Sequence, residues 1–207
     1  MYIDFRTTDA HILGMIKQSN RDKLLTAGLR VVHERGFASA SVRDIVKAAG
    51  VPQGSFTNHF ESKEAFGLEV IDVYCERMRE VIAATLLNDR LAPLKRLAAY
   101  IDANLERLGR DDMKHGCLVG NFTAETGVQT DAIRARVTSS FVELQEALSA
   151  CLRAAAAAGE IKADTDCDEV AGFILSSLQG ATLLAKATRS AAPIERFRKI
   201  LFADVLR

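Results

Sequence analysis

The sequence predicts an all-α protein. Apolar residues recur at helical spacing in almost every long segment, and no stretch of useful length alternates apolar and polar residues as a strand does. Capping residues, glycines and prolines fall between the periodic segments. With 207 residues, of which 48% are hydrophobic, the chain can form a small domain and a larger one. We therefore expect a three-helix N-terminal head followed by a larger helical domain.

The helices can be placed in order from their start and stop signals. The first 18 residues are expected to be a flexible arm, an extra turn of helix, or the product of an upstream start codon with Met15 as the true start, and the sequence leaves these three alternatives open. The first helix stops at Gly36, Pro93 opens a later one, and Gly159 closes another. The expected helices span residues 20–35, 42–49, a short stretch from about Gln53, 63–87, 93–108, 117–125, 131–158, 168–188 and 193–206.

Composition excludes several classes of protein. The 27 basic and 27 acidic side chains balance, so the whole chain is not the strongly basic type of nucleic-acid protein. The opening residues lack the pattern of a signal peptide, and no apolar run reaches the length of a membrane span. The four cysteines have no metal-ligand spacing. We expect a soluble cytoplasmic protein with reduced cysteines, no metal, no cofactor and no membrane partner.

The most informative stretch is residues 41–66, SVRDIVKAAGVPQGSFTNHFESKEAF. Ser41 is a good N-cap, and the apolar residues that follow it have helical spacing. Gly50 suits the left-handed residue at a helix end, and Pro52 blocks further helix until the chain has turned. A second short helix then restarts near Gln53. Two short helices joined by a tight turn predict a helix-turn-helix.

The second helix of this motif is expected to read DNA. Phe56 and Phe60, at i and i+4, would anchor it to the head. The other faces would present short side chains that form hydrogen bonds, as a helix in the major groove needs. The alternative is an ordinary helical hairpin whose polar face is merely solvated. The polar residues concerned are Gln53, Ser55, Thr57, Asn58 and His59.

Residues 20–66 resemble the DNA-binding domain of the TetR family of transcriptional repressors, with ERGF closing the first helix, then SVRDIVKAAGV, PQGSFTNHF and ESKEAF. The resemblance implies an arm at 1–18, a head at 19–66 and an effector-binding and dimerisation domain at 67–207. It also implies contacts to a double-stranded operator. Ser41 and Arg43 would lie near phosphate, Lys63 would open the fourth helix against the backbone, and the reading helix would carry Gly54, Ser55, Thr57, Asn58 and His59.

Two positions depart from the family pattern. Gln53 stands where many members have lysine, and Thr57 stands where most have a tyrosine that reaches a phosphate. Both departures weaken the predicted grip on DNA. Residues 1–66 contain nine basic and seven acidic side chains, which is a modest excess. Binding is therefore expected to need a dimer that presents two heads.

The last two helices are predicted to form the dimer surface. Small residues of the helix that ends near Lys186, among them Gly172 and Gly180, allow close approach of another helix and alternate with large apolar ones. Intramolecular core packing is the alternative for any one of them. In the resembled family these two helices pair with those of a second subunit. A twofold dimer would place the reading helices about 34–36 Å apart on a palindromic operator.

Cys117 is the candidate sensor residue. It follows Lys114, His115 and Gly116 and opens a short helix, and both a nearby cation and a helix N-terminus favour a thiolate. A buried structural cysteine is the alternative. The segments GCLVGN and AKATRS resemble a TetR subgroup that includes N-ethylmaleimide-responsive and acrylate-responsive repressors. That resemblance implies that Cys117 responds to electrophiles or oxidants and that Lys186 lies near it.

A small-molecule effector is expected inside the C-terminal domain and would act on the heads through the fourth helix. Two alternatives remain open: a repressor that binds its effector reversibly without a thiol switch, and a cysteine-nucleophile enzyme that uses Cys117 with His115. Against the enzyme, the sequence identifies no residue that would orient the histidine and no oxyanion site. The expected pocket residues are Tyr74, Met78, Tyr100, Phe122, Phe141 and Phe173.

Overall fold

The chain folds into α-helices joined by short turns, as seen in a computed structural model that describes residues 19–125 and 130–207. No strand occurs in those two ranges, which confirms the all-α prediction. The arm predicted at residues 1–18 lies outside them. The helices are α1 (Asn20–Arg35), α2 (Val42–Ala49), α3 (Ser55–His59), α4 (Lys63–Ala84), α5 (Pro93–Gly109), α6 (Leu118–Ala124), α7 (Asp131–Ala157), α8 (Cys167–Thr188) and α9 (Ala192–Ile200).

The first two helices begin at capping boxes. At α2, the Ser41 hydroxyl accepts the Asp44 amide, and the Asp44 side chain bonds back to the Ser41 amide. Ser19 and Asp22 form the same arrangement at α1. Gly50 ends α2 with φ 62°, the left-handed conformation that glycine adopts without strain. These signals are local, which is why the sequence places both helices correctly.

The short helix α3 begins later than predicted. Residues 52–54 form a turn, closed by a bond of 2.9 Å from the Ser55 amide to the Pro52 carbonyl, so Gln53 and Gly54 precede the helix. Phe56 and Phe60 are buried, and their rings pack against that of Phe66 at 5.2 and 4.9 Å. The predicted aromatic anchor is present and holds α3 against α4.

The C-terminal ends of α4 and α9 differ by a few residues from the predicted ends. Helix α4 ends at Ala84 rather than residue 87, because Thr85 leaves helical geometry and Leu86 turns into the core. Helix α9 ends at Ile200 and continues as one π-helical turn, Leu201–Val205, which buries Leu201. Both ends are set by packing against other helices and not by a local stop residue.

The buried side chains form two clusters. One contains residues of the four helices α1, α2, α3 and α4, together with Leu118 and Phe122 of α6 and Ile133 of α7. The other fills the space among α5, α7, α8 and α9. The head core thus continues into α6, and the boundary expected after residue 66 stays a prediction.

Helix α8 leaves a large apolar surface uncovered. Phe173, Leu183 and Leu184 are 48%, 66% and 55% exposed. The helix is long and apolar enough for a membrane span by length and composition, but its other side packs on α7 and α9 as a core helix does. The exposed side is therefore a surface that another helix could cover.

Candidate DNA-binding head and cysteine site

The start of α2 presents two of the predicted DNA-contacting residues at the surface. Arg43 is exposed, and its guanidinium is available for a phosphate. Ser41 is exposed as well, but its hydroxyl is engaged with the Asp44 carboxylate at 2.6 Å. The hydrogen bonds that the Ser41 hydroxyl and amide donate to the Asp44 carboxylate are the main reason that the pKa of Asp44 is lowered. Arg43 is thus the side chain of this pair that is free to reach DNA.

Helix α3 exposes fewer side chains that could contact DNA bases than the sequence predicts. Thr57, Asn58 and His59 are exposed, as predicted. Ser55 is buried at 7% exposure and lies 3.5 Å from the Asn20 amide, so it packs into the head rather than facing outward. The Thr57 hydroxyl donates to the Gly54 carbonyl at 3.1 Å. Asn58 and His59 remain the exposed side chains of α3 whose polar groups are not used to hold the turn.

Lys63, expected at the DNA backbone, is held by the head itself. Its ammonium donates to the Ala38 carbonyl at 3.1 Å and lies 4.8 Å from the centre of the Phe37 ring. Burial lowers the pKa of Lys63, and the nearby Glu125 carboxylate opposes that effect. Lys63 therefore ties α4 to the loop between α1 and α2.

Cys117 caps α6 and lies among polar groups from three other helices. The Tyr74 hydroxyl of α4 is 3.8 Å from the sulfur, and the Gln179 amide of α8 is 3.7 Å from it. Arg107 of α5 interacts electrostatically with the same thiol. Burial raises the pKa of Tyr74, which keeps its hydroxyl protonated as a donor. Two N–H or O–H donors and a cation therefore surround this sulfur.

The loop before Cys117 is bent by left-handed residues. Asp112, Met113 and Gly116 have φ of 55°, 59° and 71°. For a residue with a Cβ this conformation costs about 1–2 kcal/mol, so two such residues in succession need support from the surroundings. Met113 supplies part of it by being buried.

The Gly116 carbonyl is the anchor of that loop. It accepts a bond from Nε2 of His33 at 3.0 Å and one from Nη1 of Arg107 at 3.3 Å. Burial is the main cause that lowers the pKa of His33 to about 4, so the ring is neutral at pH 7 and must carry its proton on Nε2 to donate. The ring also lies 5.5 Å from that of His115 and 5.9 Å from that of Tyr74.

The two basic residues expected beside Cys117, Lys114 and His115, pair with acidic residues of their own loop. Lys114 pairs with Asp112 at 2.9 Å, and Nδ1 of His115 lies 2.5 Å from the Asp111 carboxylate. Asp111 is thus the orienting carboxylate that the sequence did not reveal. The contact of His115 is with Asp111, however, and the groups that reach the Cys117 sulfur come from other helices.

Lys186 lies beside the cysteine segment, as the resemblance implies. Its ammonium donates to the Asn121 side chain at 2.9 Å. Its aliphatic carbons pass so close to Gly116 that a Cβ there would be 3.2 Å from Lys186 Cδ. Lys186 therefore packs against the residues on both sides of Cys117.

The other three cysteines are buried. Cys75 lies 3.1 Å from the Ser140 hydroxyl, Cys151 donates to the Pro93 carbonyl at 3.3 Å, and Cys167 contacts the Thr165 carbonyl. Burial raises the pKa of Cys75, and it raises that of Cys151 to about 11. Cys117 is the only one of the four that is partly exposed.

The predicted pocket residues do not all come together. Tyr74 and Tyr100 are buried near Arg107 and Cys117, and Met78 packs where the two clusters meet. Phe122 stacks on Phe37 of the head at 5.1 Å. Phe141 packs on the same head cluster, whereas Phe173 is exposed on α8.

Two open grooves lie elsewhere on the described surface. One, of about 630 Å³, follows α7, and the other, of about 530 Å³, is lined by α1, α2 and α4. None of the six predicted pocket residues lines either groove. Within residues 19–125 and 130–207, no cluster of three histidine, cysteine or acidic side chains is arranged to hold a metal.

The far end of α6 clamps the head. Glu125 accepts the backbone amides of Phe37 and Ala38 at 3.0 and 2.7 Å. Those amides belong to the loop between α1 and α2, which Lys63 also holds. The seven-residue helix α6 therefore follows Cys117 at one end and is joined to the DNA-binding head through Glu125 at the other.

Sequence reasoning missed several residues of this site. His33, Asn121, Glu125 and Gln179 are separated from their partners by 62 to 88 positions, whereas Arg107 and Asp111 lie nine and four positions from theirs, and no local motif marks any of the six. In the sequence pattern, a charged or polar residue without a local motif is predicted only to lie on the exposed face of a helix. The missed residues are His33, Arg107, Asp111, Asn121, Glu125 and Gln179.

The head, with two helices in a helix-turn-helix arrangement, and the helical domain behind it define a DNA-binding regulator. Two family models match the chain: "Bacterial regulatory proteins, tetR family" over residues 24–70, and "Tetracyclin repressor-like, C-terminal domain" over residues 93–201. The repressor DhaR of Mycobacterium sp. (strain GP1) is 35% identical over 192 residues, which are 93% of this chain and 95% of that protein. The chain belongs to the TetR family of bacterial transcriptional regulators and is not an enzyme.

Solved structures agree with this assignment. A crystal structure of a regulatory protein TetR from Rhodobacter sphaeroides is 34% identical, with a TM-score of 0.85 over 88% of this chain and 97% of that one. The reduced form of Escherichia coli NemR is 25% identical, with a TM-score of 0.80 over 87% of this chain and 93% of that one. These chains share the head and the helical domain, and the relatives by sequence are transcriptional repressors.

Proposed function

We propose that this protein is a homodimeric, cytoplasmic repressor that binds a palindromic operator and is released when Cys117 reacts with a small electrophile or oxidant. The observation that carries the proposal is the position of Cys117. It is the partly exposed cysteine of the four, and it caps the helix that ends at the clamp on the head. The likeness to the reduced form of NemR supports a cysteine that changes state.

The local contacts favour a reaction at Cys117 over the other cysteines. Tyr74 and Gln179 place donor groups at 3.8 and 3.7 Å from its sulfur, where they can stabilise a thiolate. A group added to the sulfur would lie close to the side chain of Gln179, whose amide is 3.7 Å from the sulfur. We expect an adduct to break this contact and to shift α6 relative to α8.

Helix α6 offers a direct route from the thiol to DNA. His33 holds the residue before Cys117, and Glu125 holds the loop before α2. A shift of α6 would move both contacts at once, and the start of α2 carries Arg43. The route through α4 remains part of the proposal, because Tyr74 lies on that helix. A free-energy difference of about 1.4 kcal/mol between the two states changes DNA affinity tenfold.

The exposed face of α8 supports the dimer. Phe173, Leu183 and Leu184 form an apolar surface that is unusual for a monomer in water, and the small Gly180 between them has no neighbour within 4 Å of a Cβ built there. A second α8 can approach closely at such a position. Gln179 lies next to this face, so the thiol is also linked to the proposed dimer interface.

The test uses fluorescence anisotropy on a palindromic duplex selected from a random library. Wild-type protein is titrated before and after one equivalent of N-ethylmaleimide, with Cys117→Ser and the buried-site control Cys151→Ser beside it, and peptide mass spectrometry locates the adduct. We expect the reagent to weaken DNA binding of wild type and Cys151→Ser at least tenfold and to leave Cys117→Ser unchanged.

Two results would contradict the proposal. If the adduct forms at Cys117 and DNA affinity does not change, the thiol is not the switch and the protein is a repressor with a reversible effector. If Cys117→Ser is released as readily as wild type, another residue is responsible.

A further inference from the structure

One of the two surface grooves is lined by three cations. This groove of about 530 Å³, which we call the α1–α4 groove, lies among α1, α2 and α4, and its charged residues are Lys23, Arg30 and Arg77. His33 lines it too, but burial lowers the pKa of this ring to about 4, so the ring is neutral at pH 7. No acidic residue is among those that line the groove, which therefore has a net positive charge.

The three cations reach the groove from two sides. Lys23 and Arg30 are two helical turns apart on α1, so they lie on one face of that helix, about 10 Å apart along its axis. Arg77 belongs to α4. Thr26, between the two cations of α1, adds an exposed hydroxyl. A ligand in the groove can therefore contact cations of both helices at once.

The cations of the groove have no carboxylate partner among residues 19–125 and 130–207. None of the ion pairs formed within these two ranges includes Lys23, Arg30 or Arg77. Several carboxylates of α1, α2 and α4 are instead bound to residues outside the groove. Since like charges that share a groove repel one another, an anion between them would be stabilising. The carboxylates bound elsewhere are Asp22 with Ser19, Asp44 with Arg35, Glu69 with Arg21 and Glu76 with Arg79.

The size and lining of the groove suit a ligand larger than a single ion. Its volume of about 530 Å³ is many times the roughly 30 Å³ that one water molecule occupies in the liquid. The small side chains of Ala27, Ala48 and Ala49 form part of the lining and leave the cations accessible. A diphosphate group offers several anionic oxygens, which can bind two guanidinium forks and a lysine ammonium together.

The groove is separate from the surface expected to face DNA bases. No residue of α3 lines it, and its α2 residues are at the opposite end of that helix from Arg43. Arg77 lies about 21 Å along α4 from the start of that helix at Lys63. These positions favour a small soluble anion over the phosphates of an operator bound at α3.

We propose that the α1–α4 groove is a binding site for the diphosphate group of a small molecule, which Lys23, Arg30 and Arg77 hold together. The site does not depend on a reaction at Cys117. His33 connects the two regions, because it lines the groove and contacts the Gly116 carbonyl at 3.0 Å. A bound diphosphate joins α1 to α4 and stabilises the folded protein, since it binds the native state and not the unfolded chain.

Pyrophosphate is the probe that tests this site. Its binding is measured by isothermal titration calorimetry at pH 7.5 in metal-free buffer, and its effect on the melting temperature is measured in parallel. Sodium chloride at equal ionic strength is the control for general screening of charge. We expect wild type to bind pyrophosphate saturably and to melt at a higher temperature in pyrophosphate than in the matched chloride.

Substitutions assign the binding to the groove. Arg30→Gln and Arg77→Gln should each weaken pyrophosphate binding about fivefold or more, because each removes a cation close to the anion. Arg77→Lys should keep most of the affinity, since it keeps the charge. Arg90→Gln is the matched control: Arg90 is exposed and outside the groove, so this variant loses the same charge and should bind as wild type.

Two results of the binding experiment would overturn the proposal. One is a wild type that responds to pyrophosphate no more than to chloride. The other is equal binding by wild type, Arg30→Gln and Arg77→Gln, which would place the anion elsewhere. These measurements use neither DNA nor a thiol reagent, so their failure leaves the proposed repressor untouched, and failure of the Cys117 switch leaves this site untouched.

A DNA arm separates a small-molecule site from a contact with the operator backbone. Wild type and Arg77→Gln are titrated onto the selected palindromic duplex at several salt concentrations, without pyrophosphate. We expect equal affinities and equal salt slopes. A weaker Arg77→Gln whose slope of log affinity against log salt is smaller by about 0.9 per contact would assign the groove to DNA phosphate and overturn the small-molecule site.

Discussion

The Nε2 atom of His33 lies 3.0 Å from the carbonyl oxygen of Gly116, 83 positions away in the chain. His33 belongs to the last turn of α1 in the DNA-binding head, and Gly116 directly precedes Cys117. One hydrogen bond therefore joins the head to the loop that carries the candidate sensor. The same helix α6 meets the head again at Glu125, so the head contacts both ends of the cysteine segment.

The buried ring of His33 predicts a loss of stability in mild acid. Its pKa is lowered from 6.5 to about 4 in the folded protein, so between these values the unfolded chain binds a proton that the native state does not. The contribution of His33 is complete above about pH 7 and is lost as pH falls toward 4. By pH 5 the free energy of unfolding should drop by at most about 2 kcal/mol from this group.

Urea unfolding of wild type and His33→Gln at pH 7.5 and pH 5, at one protein concentration, checks this. Glutamine keeps an N–H donor for Gly116 but does not titrate, so its stability should fall less on acidification. His59→Gln, which removes an exposed imidazole on α3, serves as the control and should follow wild type. Parallel pH dependence of all three proteins would show that His33 does not govern the loss.

Glu125→Gln should uncouple the thiol from DNA. The change removes the charge that holds the Phe37 and Ala38 amides, and bonds to a charged group are worth about 1.5–3 kcal/mol against about 1 for a neutral one. We expect a stability loss of about 1 kcal/mol and a smaller release of DNA after N-ethylmaleimide, several-fold below that of wild type. Thermal unfolding and anisotropy measure the two effects.

The control for this prediction is Glu61→Gln, which alters an exposed carboxylate of the head. It should leave both stability and induced release as in wild type. If Glu125→Gln lowers stability but responds to the reagent in full, then Glu125 is a structural contact and the signal passes to the head by α4.

Gly28→Ala should destabilise the head. A Cβ at this position would lie 2.1 Å from Phe66 Cζ, and Phe66 is fully buried against Phe56 and Phe60. Overpacking of a rigid aromatic cluster costs about 1–3 kcal/mol. Gly109→Ala, where a Cβ meets nothing within 4 Å at the end of α5, is the matched control and should be neutral or slightly stabilising. Equal melting temperatures for the two variants would contradict this packing.

Leu183→Glu should weaken the proposed dimer. Leu183 is 66% exposed in the single chain, so a charge there does not disturb the core, but it would be buried between two α8 helices. We expect a monomer by light scattering at micromolar concentration, with a helical content unchanged by circular dichroism and a loss of operator binding. A dimer that survives this change would place the interface on another face.

Gln53→Lys should strengthen DNA binding. Gln53 is exposed in the turn before α3, at the position where the family resemblance implies a lysine. One added phosphate contact per head increases the slope of log affinity against log salt by about 0.9 for each contact. Gln53→Glu is the charge-reversed counterpart and should weaken binding. Anisotropy titrations at several salt concentrations measure the slopes, and identical slopes for the two variants would exclude Gln53 from the interface.

The extent of sequence-based prediction follows from how local each signal is. The capping boxes at Ser19 and Ser41, the left-handed Gly50 and the Phe56–Phe60 spacing are each contained within a few residues. The all-α class and the helices of the head can therefore be predicted from the amino-acid sequence. Family resemblance in the same short segments identified the DNA-binding function.

Which distant side chains lie together depends on how the helices pack, and the sequence does not show it. Ser55 reads as a surface residue and is buried, and Lys63 is turned from DNA to the Ala38 carbonyl. The donors to the Cys117 sulfur come from α4 and α8, although the cations next to it in sequence pair with Asp111 and Asp112. The reason is physical: a helix period fixes which residues share one face of a helix, whereas the packing of several helices fixes which faces meet.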